Sequence, residues 1–361
     1  MNMPFHGSYR AEQVIFLLKP IQLAPIADTA AKEALIQSGQ KHYSEMLSPE
    51  YPPSARYLDL FRAACAQNEA RMAADCRQLA TCIAARHHRP PALVSLARAG
   101  TPVGVILRAI LSRYYGSPVA HYSISIIRDR GIDENALRHI LAHHADTDLV
   151  FIDGWTGKGV IARELHRFIA AYNAQAGTNI DSGLYVLADL SGTAACAATA
   201  DDYLIPSALL NATISGLISR SILNEQIAAD DYHGCVYYRD LAPHDLSQTF
   251  ADRISTLADG ELPAAAPADT AQAAITAQHL LADIRARYGI SNDNLIKPGI
   301  GEATRVLLRR HPERLILRDP AAPATAHLVQ LAAEKQAIVE HRPDLPYHAV
   351  ALIRSHRPAN R

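Results

Sequence analysis

Leu149-Val150-Phe151-Ile152-Asp153-Gly154-Trp155-Thr156-Gly157-Lys158-Gly159 runs from four consecutive apolar residues into a turn rich in glycine. The apolar run reads as a strand covered on both faces, ending at 152, and 159–175 reads as the helix that follows. Working outward, the same alternation recurs. Upstream, 57–89 has no glycine or proline and reads as a helix stopped by Pro90-Pro91. Then come a strand at 92–96, a helix at 103–114, a strand at 119–127 and a helix at 132–144 begun near Asp133. Downstream lie a strand at 184–188 and a last short one at 203–206. Strands alternating with helices imply an α/β fold with a mostly parallel sheet and helices on both faces. Ligands of such sheets bind outside the carboxyl ends of the strands.

The chain has 361 residues, 49% hydrophobic and 20% charged, enough for two domains without a disulfide or metal staple. The Ala/Pro stretch 263–267 reads as a linker and 269–288 as a helix. Beyond it, helices at 303–311 and 326–335 (the latter capped by Thr325) and strands at 314–317, 337–339 and 347–353 form a small C-terminal α/β domain. The expected division is 1–255, a linker and helix at 256–290, and 291–361. The whole chain carries a formal charge of -1, but from Ser291 onward 11 Lys and Arg face 7 Asp and Glu. That leaves a modestly basic C-terminal segment on an otherwise acidic chain. No long uncharged apolar run suggests a membrane span, and the N-terminus lacks signal-peptide regions, so a cytoplasmic protein is expected. The five cysteines are odd in number and show no CxxC or zinc spacing.

Two strand-to-helix turns are suited to anions. In 153–159, glycines allow close approach of backbone N–H groups and the next helix presents its positive end. Thr156 adds a hydroxyl and Lys158 a charge, while Asp153 can accept from ribose hydroxyls. It is not a Walker loop, because Gly154 to Lys158 is too short and Gly159 stands where Ser or Thr would bind magnesium. In Ser95-Leu96-Ala97-Arg98-Ala99-Gly100-Thr101, Arg98 can clamp a second anion in bidentate fashion. The alternatives are a solvated turn and a surface arginine. Arg128, Asp129 and Arg130 form a charged loop able to close over the site. Asn211, Ser215, Ser219 and Arg220 lie at roughly helical spacing and suit recognition of an acceptor or helix packing. His42-Tyr43-Ser44-Glu45 is a candidate hood. Trp155 suits either stacking on a base or plugging the base of the loop.

The stretches SLARAGTPVG, HYSISIIRDRGID, FIDGWTGKG and PSALLNATISGLISRSIL resemble a phosphoribosyltransferase-like family of bacterial tellurite-resistance and stress gene clusters. Some of its members carry the label cysteine protease StiP. The resemblance spans about 8–252 and implies a type I phosphoribosyltransferase-like fold. It implies that 95–101 (Ser95, Ala97, Ala99, Gly100, Thr101 with Arg98) holds pyrophosphate. Residues 151–159 (Asp153, Gly154, Trp155, Thr156, Gly157, Lys158, Gly159) would hold ribose 5-phosphate. Phosphoribosyl pyrophosphate or a nucleotide-like compound would be the ligand, and magnesium the cofactor. Such enzymes normally carry two adjacent acids in the second loop; here Asp153 is followed by Gly154. The stretch IKPGIGEATRVLLRR resembles a Pelota-like RNA-binding domain, which implies RNA contacts from Lys297, Arg305, Arg309 and Arg310. The competing protease reading rests on Cys235, two residues from His233; the five cysteines otherwise look like small packing residues. A non-catalytic nucleotide-sensing or RNA-binding regulator is the remaining alternative.

Overall fold

The computed structural model describes residues 5–310 and 312–354. It opens with two short strands, β1 (Ile15–Phe16) and β2 (Lys19–Pro20), then helix α1 (Thr29–Gln37) and the long helix α2 (Ala55–Arg86). The central run is β3 (Ala92–Leu96), α3 (Gly100–Tyr115), β4 (Ala120–Ile124), β5 (Ile126–Ile127), β6 (Gly131–Ile132), α4 (Glu134–Leu141), β7 (Leu149–Thr156), α5 (Val160–Ala176), β8 (Leu184–Asp189) and β9 (Cys196–Thr199). After β10 (Gly234–Cys235), helices α6 (Ser247–Leu257) and α7 (Thr270–Tyr288) lead to the C-terminal part. That part holds β11 (Ile296–Pro298), α8 (Ile300–Arg309), β12 (Pro312–Leu317), α9 (Ala326–Glu334), β13 (Ile338–His341) and β14 (Ala349–Ile353).

The main sheet has the order β1-β4-β3-β7-β8-β9, and every neighbouring pair is parallel. Both faces are buried, so the strands read as nearly continuous apolar runs, and alternate residues still go to opposite cores. Val150 and Ile152 of β7 join the cluster under α2, α3 and α6, while Leu149 and Phe151 join the one under α4 and α5. The strand order reverses between β3 and β7, so their carboxyl ends open a crevice at the switch point.

A second, four-stranded sheet has the order β11-β14-β12-β13. Helix α7 packs Leu280 and Ile284 on one face, and α8 and α9 cover the other. The apolar cluster under α8 and α9 is continuous with that of the main sheet: Ile205 and Leu209 share it with Ile300, Ala303 and Leu307. The expected α/β class with a small C-terminal α/β part is therefore observed.

Several expected elements differ. β7 extends to Thr156 rather than stopping at Ile152, because Trp155 and Thr156 pair with Ala188 and Asp189 of β8. The last strand is β9, not 203–206, where Pro206 instead opens a 3-10 turn. The sequence Cys196-Ala197-Ala198-Thr199 has weak strand propensity, and pairing with β8 overrides it. Thr325 makes no cap bond; its hydroxyl donates to the carbonyls of Asp319 and Ala322.

Candidate functional site

A cavity of about 200 Å3 lies at the switch point. The β3–α3 loop (Ala97, Arg98, Ala99) and Asp153 with Trp155 of β7 form one side, and Asn211, Ser215 and Arg220 the other. Arg305 of α8 closes it from the second sheet. The two loops meet because Gly100 lacks a side chain: a Cβ there would stand 2.5 Å from the Ile152 carbonyl oxygen. The peptide between Ala97 and Arg98 is cis.

Arg98 reaches the cavity already engaged. Its Nη2 pairs with Glu50 at 2.5 Å and Nη1 donates to the Ile218 carbonyl at 2.7 Å. Arg220 differs. Its Nη2 donates to the carbonyls of Tyr43 and Met46, each at 2.5 Å, and its guanidinium lies 5.2 Å from the centre of the Tyr43 ring. Among the described residues no carboxylate pairs with it. Burial pulls its pKa down to about 10, assisted by the nearby charges of Arg98 and Arg310. Asn211 also leaves its buried Oδ1 without a donor.

Asp153 accepts from the Gly154 N–H at 2.8 Å. Burial pushes its carboxyl up to about 6, against the opposing pull of Arg305 and that hydrogen bond. The guanidinium of Arg305 stands 4.3 Å over the Trp155 ring and donates from Nη1 to Glu302 at 2.9 Å.

The glycine turn itself is not part of the cavity. Gly154, Trp155 and Thr156 belong to β7, which reduces the turn to Gly157-Lys158-Gly159. Thr156 spends its hydroxyl accepting from the Gly159 N–H at 2.9 Å. Lys158 donates to the Asp293 carbonyl, and burial beside Lys297 lowers its pKa to about 7. The second sheet covers the turn: a Cβ on Gly157 would stand 2.8 Å from the Pro298 carbonyl oxygen and 3.3 Å from Cγ of Glu302. Glu302 sits among Lys158, Lys297 and Arg305, whose charges outweigh burial and lower its pKa.

Other expected contacts are placed elsewhere. Ser95 is fully buried and its hydroxyl is bonded to Nε2 of His121 at 2.8 Å; Thr101 is bonded to Ser123 at 2.8 Å. Ser219 donates to the Arg220 carbonyl and accepts from Val236 N–H. Residues 206–220 form two 3-10 turns rather than one helix, yet Asn211, Ser215 and Arg220 still converge on the cavity. Arg128 donates from its backbone N–H to the Tyr43 hydroxyl at 2.9 Å and Arg130 donates to Glu45 at 3.2 Å, so both brace the 42–45 segment outside the cavity lining. Lys297 lies 3.9 Å from Glu302, and Arg310 donates to Glu33 at 2.9 Å. The side chain of Arg309 lies outside the described residues.

Sequence reading missed Glu50, Glu302 and Asp202. Asp202 accepts from the N–H of Ile300 at 2.8 Å and of His348 at 2.8 Å, so it caps α8 from across the interface. No local pattern announces a cap supplied 98 residues away. A larger open groove of about 970 Å3 includes Arg71, Asp201, Arg318 and His348. There Arg71 pairs with Asp201 at 2.7 Å and Arg318 donates to the His348 ring at 3.0 Å.

Residues 7–255 match the family described as tellurite-like stress resistance cysteine protease StiP. The chain is 43% identical over 369 residues to cysteine protease StiP of Acinetobacter baylyi (strain ATCC 33305 / BD413 / ADP1), covering 98% of this chain and 95% of that one. The chain belongs to the StiP family. Residues 275–355 match the PELOTA RNA binding domain. Two solved structures are also similar. One is a hypothetical protein from Neisseria gonorrhoeae with bound ppGpp: 13% identity, 34% of this chain, 68% of that one and a TM-score of 0.24. The other is HGPRT-ase from Leishmania tarentolae in complex with GMP: 18% identity, 38% and 73% coverage, and a TM-score of 0.22. At those scores neither likeness carries weight for the site.

The protease in the family's name has no visible machinery at the cavity. None of the five cysteines lines it. Cys235 is fully buried with its thiol pushed up to about 12, and the ring of His233 is bonded to Ser125 at 2.7 Å. The Cys82 thiol is lowered, chiefly by its hydrogen bond with the thiol of Cys196. Among the described residues no group of three or more His, Cys, Asp or Glu could hold a metal, and no helix is long and apolar enough to cross a membrane.

Proposed function

We propose that this StiP-family chain transfers a phosphoribosyl group to or from a nucleoside- or nucleotide-like small molecule, with magnesium, and that its C-terminal part binds RNA. The observation that carries the enzymatic reading is the Arg220 guanidinium, buried at the cavity with carbonyl partners but no carboxylate. A buried charge without a counter-ion is costly, and an anionic ligand relieves the cost. The unpaired Asn211 Oδ1 beside it calls for a donor such as a sugar hydroxyl.

In this reading Asp153 accepts from the ribose hydroxyls, and Arg220 and Asn211 hold the anionic end. Cleavage at the anomeric carbon builds positive charge on the sugar and negative charge on the departing pyrophosphate. Fixed cationic donors aimed at the departing charge favour that separation. Magnesium, carried by ligand phosphates, needs only one or two protein carboxylates. Asp153 fits that role, since only the Gly154 N–H occupies its oxygens. The bound ion would neutralise the pyrophosphate as it leaves.

Calorimetry with magnesium and phosphoribosyl pyrophosphate tests the reading. Binding is expected, and Asp153→Ala should reduce turnover far more than thermal stability. No binding of any phosphoribosyl compound overturns it. A second reading, a nucleotide sensor without turnover, is favoured by the cover of Pro298 and Glu302 over the glycine turn. Binding without pyrophosphate release or exchange would select it. For the protease reading, iodoacetamide is decisive: the burial of Cys235 predicts an unchanged activity, whereas inactivation on labelling Cys235 would restore proteolysis.

A further inference from the structure

We infer that Arg305, which belongs to the segment matched as RNA-binding, is a ligand-contacting residue of the cavity, so that docking of the second sheet completes the site. The inference rests on the phosphoribosyl reading of that cavity. The ligand class that Arg305 would take is a phosphoryl anion, held by the planar fork of its guanidinium.

Four observations converge. Arg305 lines the cavity together with Asp153, Asn211 and Arg220, although it comes from helix α8 on the second sheet. Its position is fixed on one side by Trp155, 4.3 Å from the ring centre, and on the other by Glu302 at 2.9 Å. Among the described residues its Nε and Nη2 make no hydrogen bond, which leaves one edge of the fork for a ligand. The third is steric. A Cβ on Gly301 would meet the Trp155 ring at 2.6 Å, and one on Gly299 would meet Leu190 at 2.5 Å. With Gly157 against Pro298, three glycines admit α8 at one close register, where Arg305 reaches the cavity. The fourth is the distribution of charge. Arg98 is spent on Glu50, whereas the single Glu302 faces Lys158, Lys297 and Arg305 together. Arg305 thus shares Glu302 with two lysines and faces the Asp153 carboxyl across the cavity, so its charge is only partly answered on the α8 side.

The site carries its own reporter, since Trp155 is the one tryptophan in the sequence. The experiment uses the full chain with magnesium and phosphoribosyl pyrophosphate, and compares wild type, Arg305→Met and Arg305→Lys by calorimetry and Trp155 emission. Met keeps the length that packs on the indole and removes the charge; Lys restores the charge without the fork. The expected result is a loss of affinity of tenfold or more for Arg305→Met and a partial recovery for Arg305→Lys. The emission maximum without ligand should be unchanged in both, which shows that α8 is still docked. Equal affinity of Arg305→Met and wild type, with emission unchanged, overturns the inference and leaves the phosphoribosyl reading standing. Absence of binding to wild type overturns both. A red-shifted emission in Arg305→Met with affinity lost, and no recovery in Arg305→Lys, also overturns it, because the residue would then be acting only as packing.

Discussion

Burial holds the Asp153 carboxyl near 6, so it is largely ionised at pH 7.5 and largely protonated at pH 5. Its folded pKa lies above its ordinary 3.8, so the folded state binds this proton more tightly than the unfolded one. The associated stability is fully present below 3.8 and is lost as pH rises through about 6. Asp153→Asn should therefore be more stable than wild type above pH 6, by on the order of 1–3 kcal/mol. That advantage should vanish toward pH 4, and melting curves at pH 4.5 and 8 would show it. The same difference at both pH values would contradict the assignment. Asp153, Arg98, Asn211, Ser215 and Arg220 were legible as candidates, and the structure gathers them at one cavity, because polar groups after a buried strand or clustered in one segment stand out against the apolar pattern. Ser95 and Thr101 were not, since the partners that satisfy them, His121 and Ser123, lie more than 20 residues away. A serine in a loop motif looks the same whether it faces a ligand or a histidine. Gly104 shows the tightness of that hidden contact: a Cβ there would stand 2.2 Å from Nε2 of His121. Gly104→Ala should lower the melting temperature, with a cost of roughly 1–3 kcal/mol.

Helix α8 begins at a glycine that offers no cap, and Asp202, in the loop after β9, supplies one. Removing such a cap typically costs about 1 kcal/mol, so Asp202→Ala should weaken docking measurably and shift Trp155 emission to the red. Gly301→Ala attacks the same interface sterically and should do so more strongly, at roughly 1–3 kcal/mol from the 2.6 Å approach to the indole. An unshifted spectrum in both variants would show that the interface is not held by these contacts. The regular elements of the main sheet were readable because strands covered on both faces are uninterrupted apolar runs, and Gly or Pro punctuates them. What the pattern hid was extent. Trp155 and Thr156 look like turn residues but pair with β8, and the Ala-rich β9 looks like no strand at all. In both, the neighbouring strand decides, and that information is not local. Residues 206–220 carry helical spacing, yet adopt 3-10 turns that still gather the polar residues at one place.

The two sheets share one apolar cluster, so the molecule has no clean plane along which to come apart. Calorimetric melting is expected to give a single transition for wild type, and a lower or split one for Gly301→Ala; two well-separated transitions in wild type would contradict the shared core. The uneven charge of the sequence, acidic before Ser291 and basic after it, takes on a concrete meaning at this scale. Lys297, Arg305 and Arg310 were expected to face RNA. Arg310 is paired with Glu33, Arg305 closes the cavity, and Lys297 lies beside Glu302 at the covered turn. An RNA that needs this face must compete with the protein's own domain, and its affinity is reduced by the free energy of docking. If both proposed ligands bind, linkage works in both directions: RNA taking α8 would withdraw an arginine from the cavity, and a ligand gripping that arginine would weaken RNA by the same factor. One helix would thus be a common currency between two binding events that never touch each other.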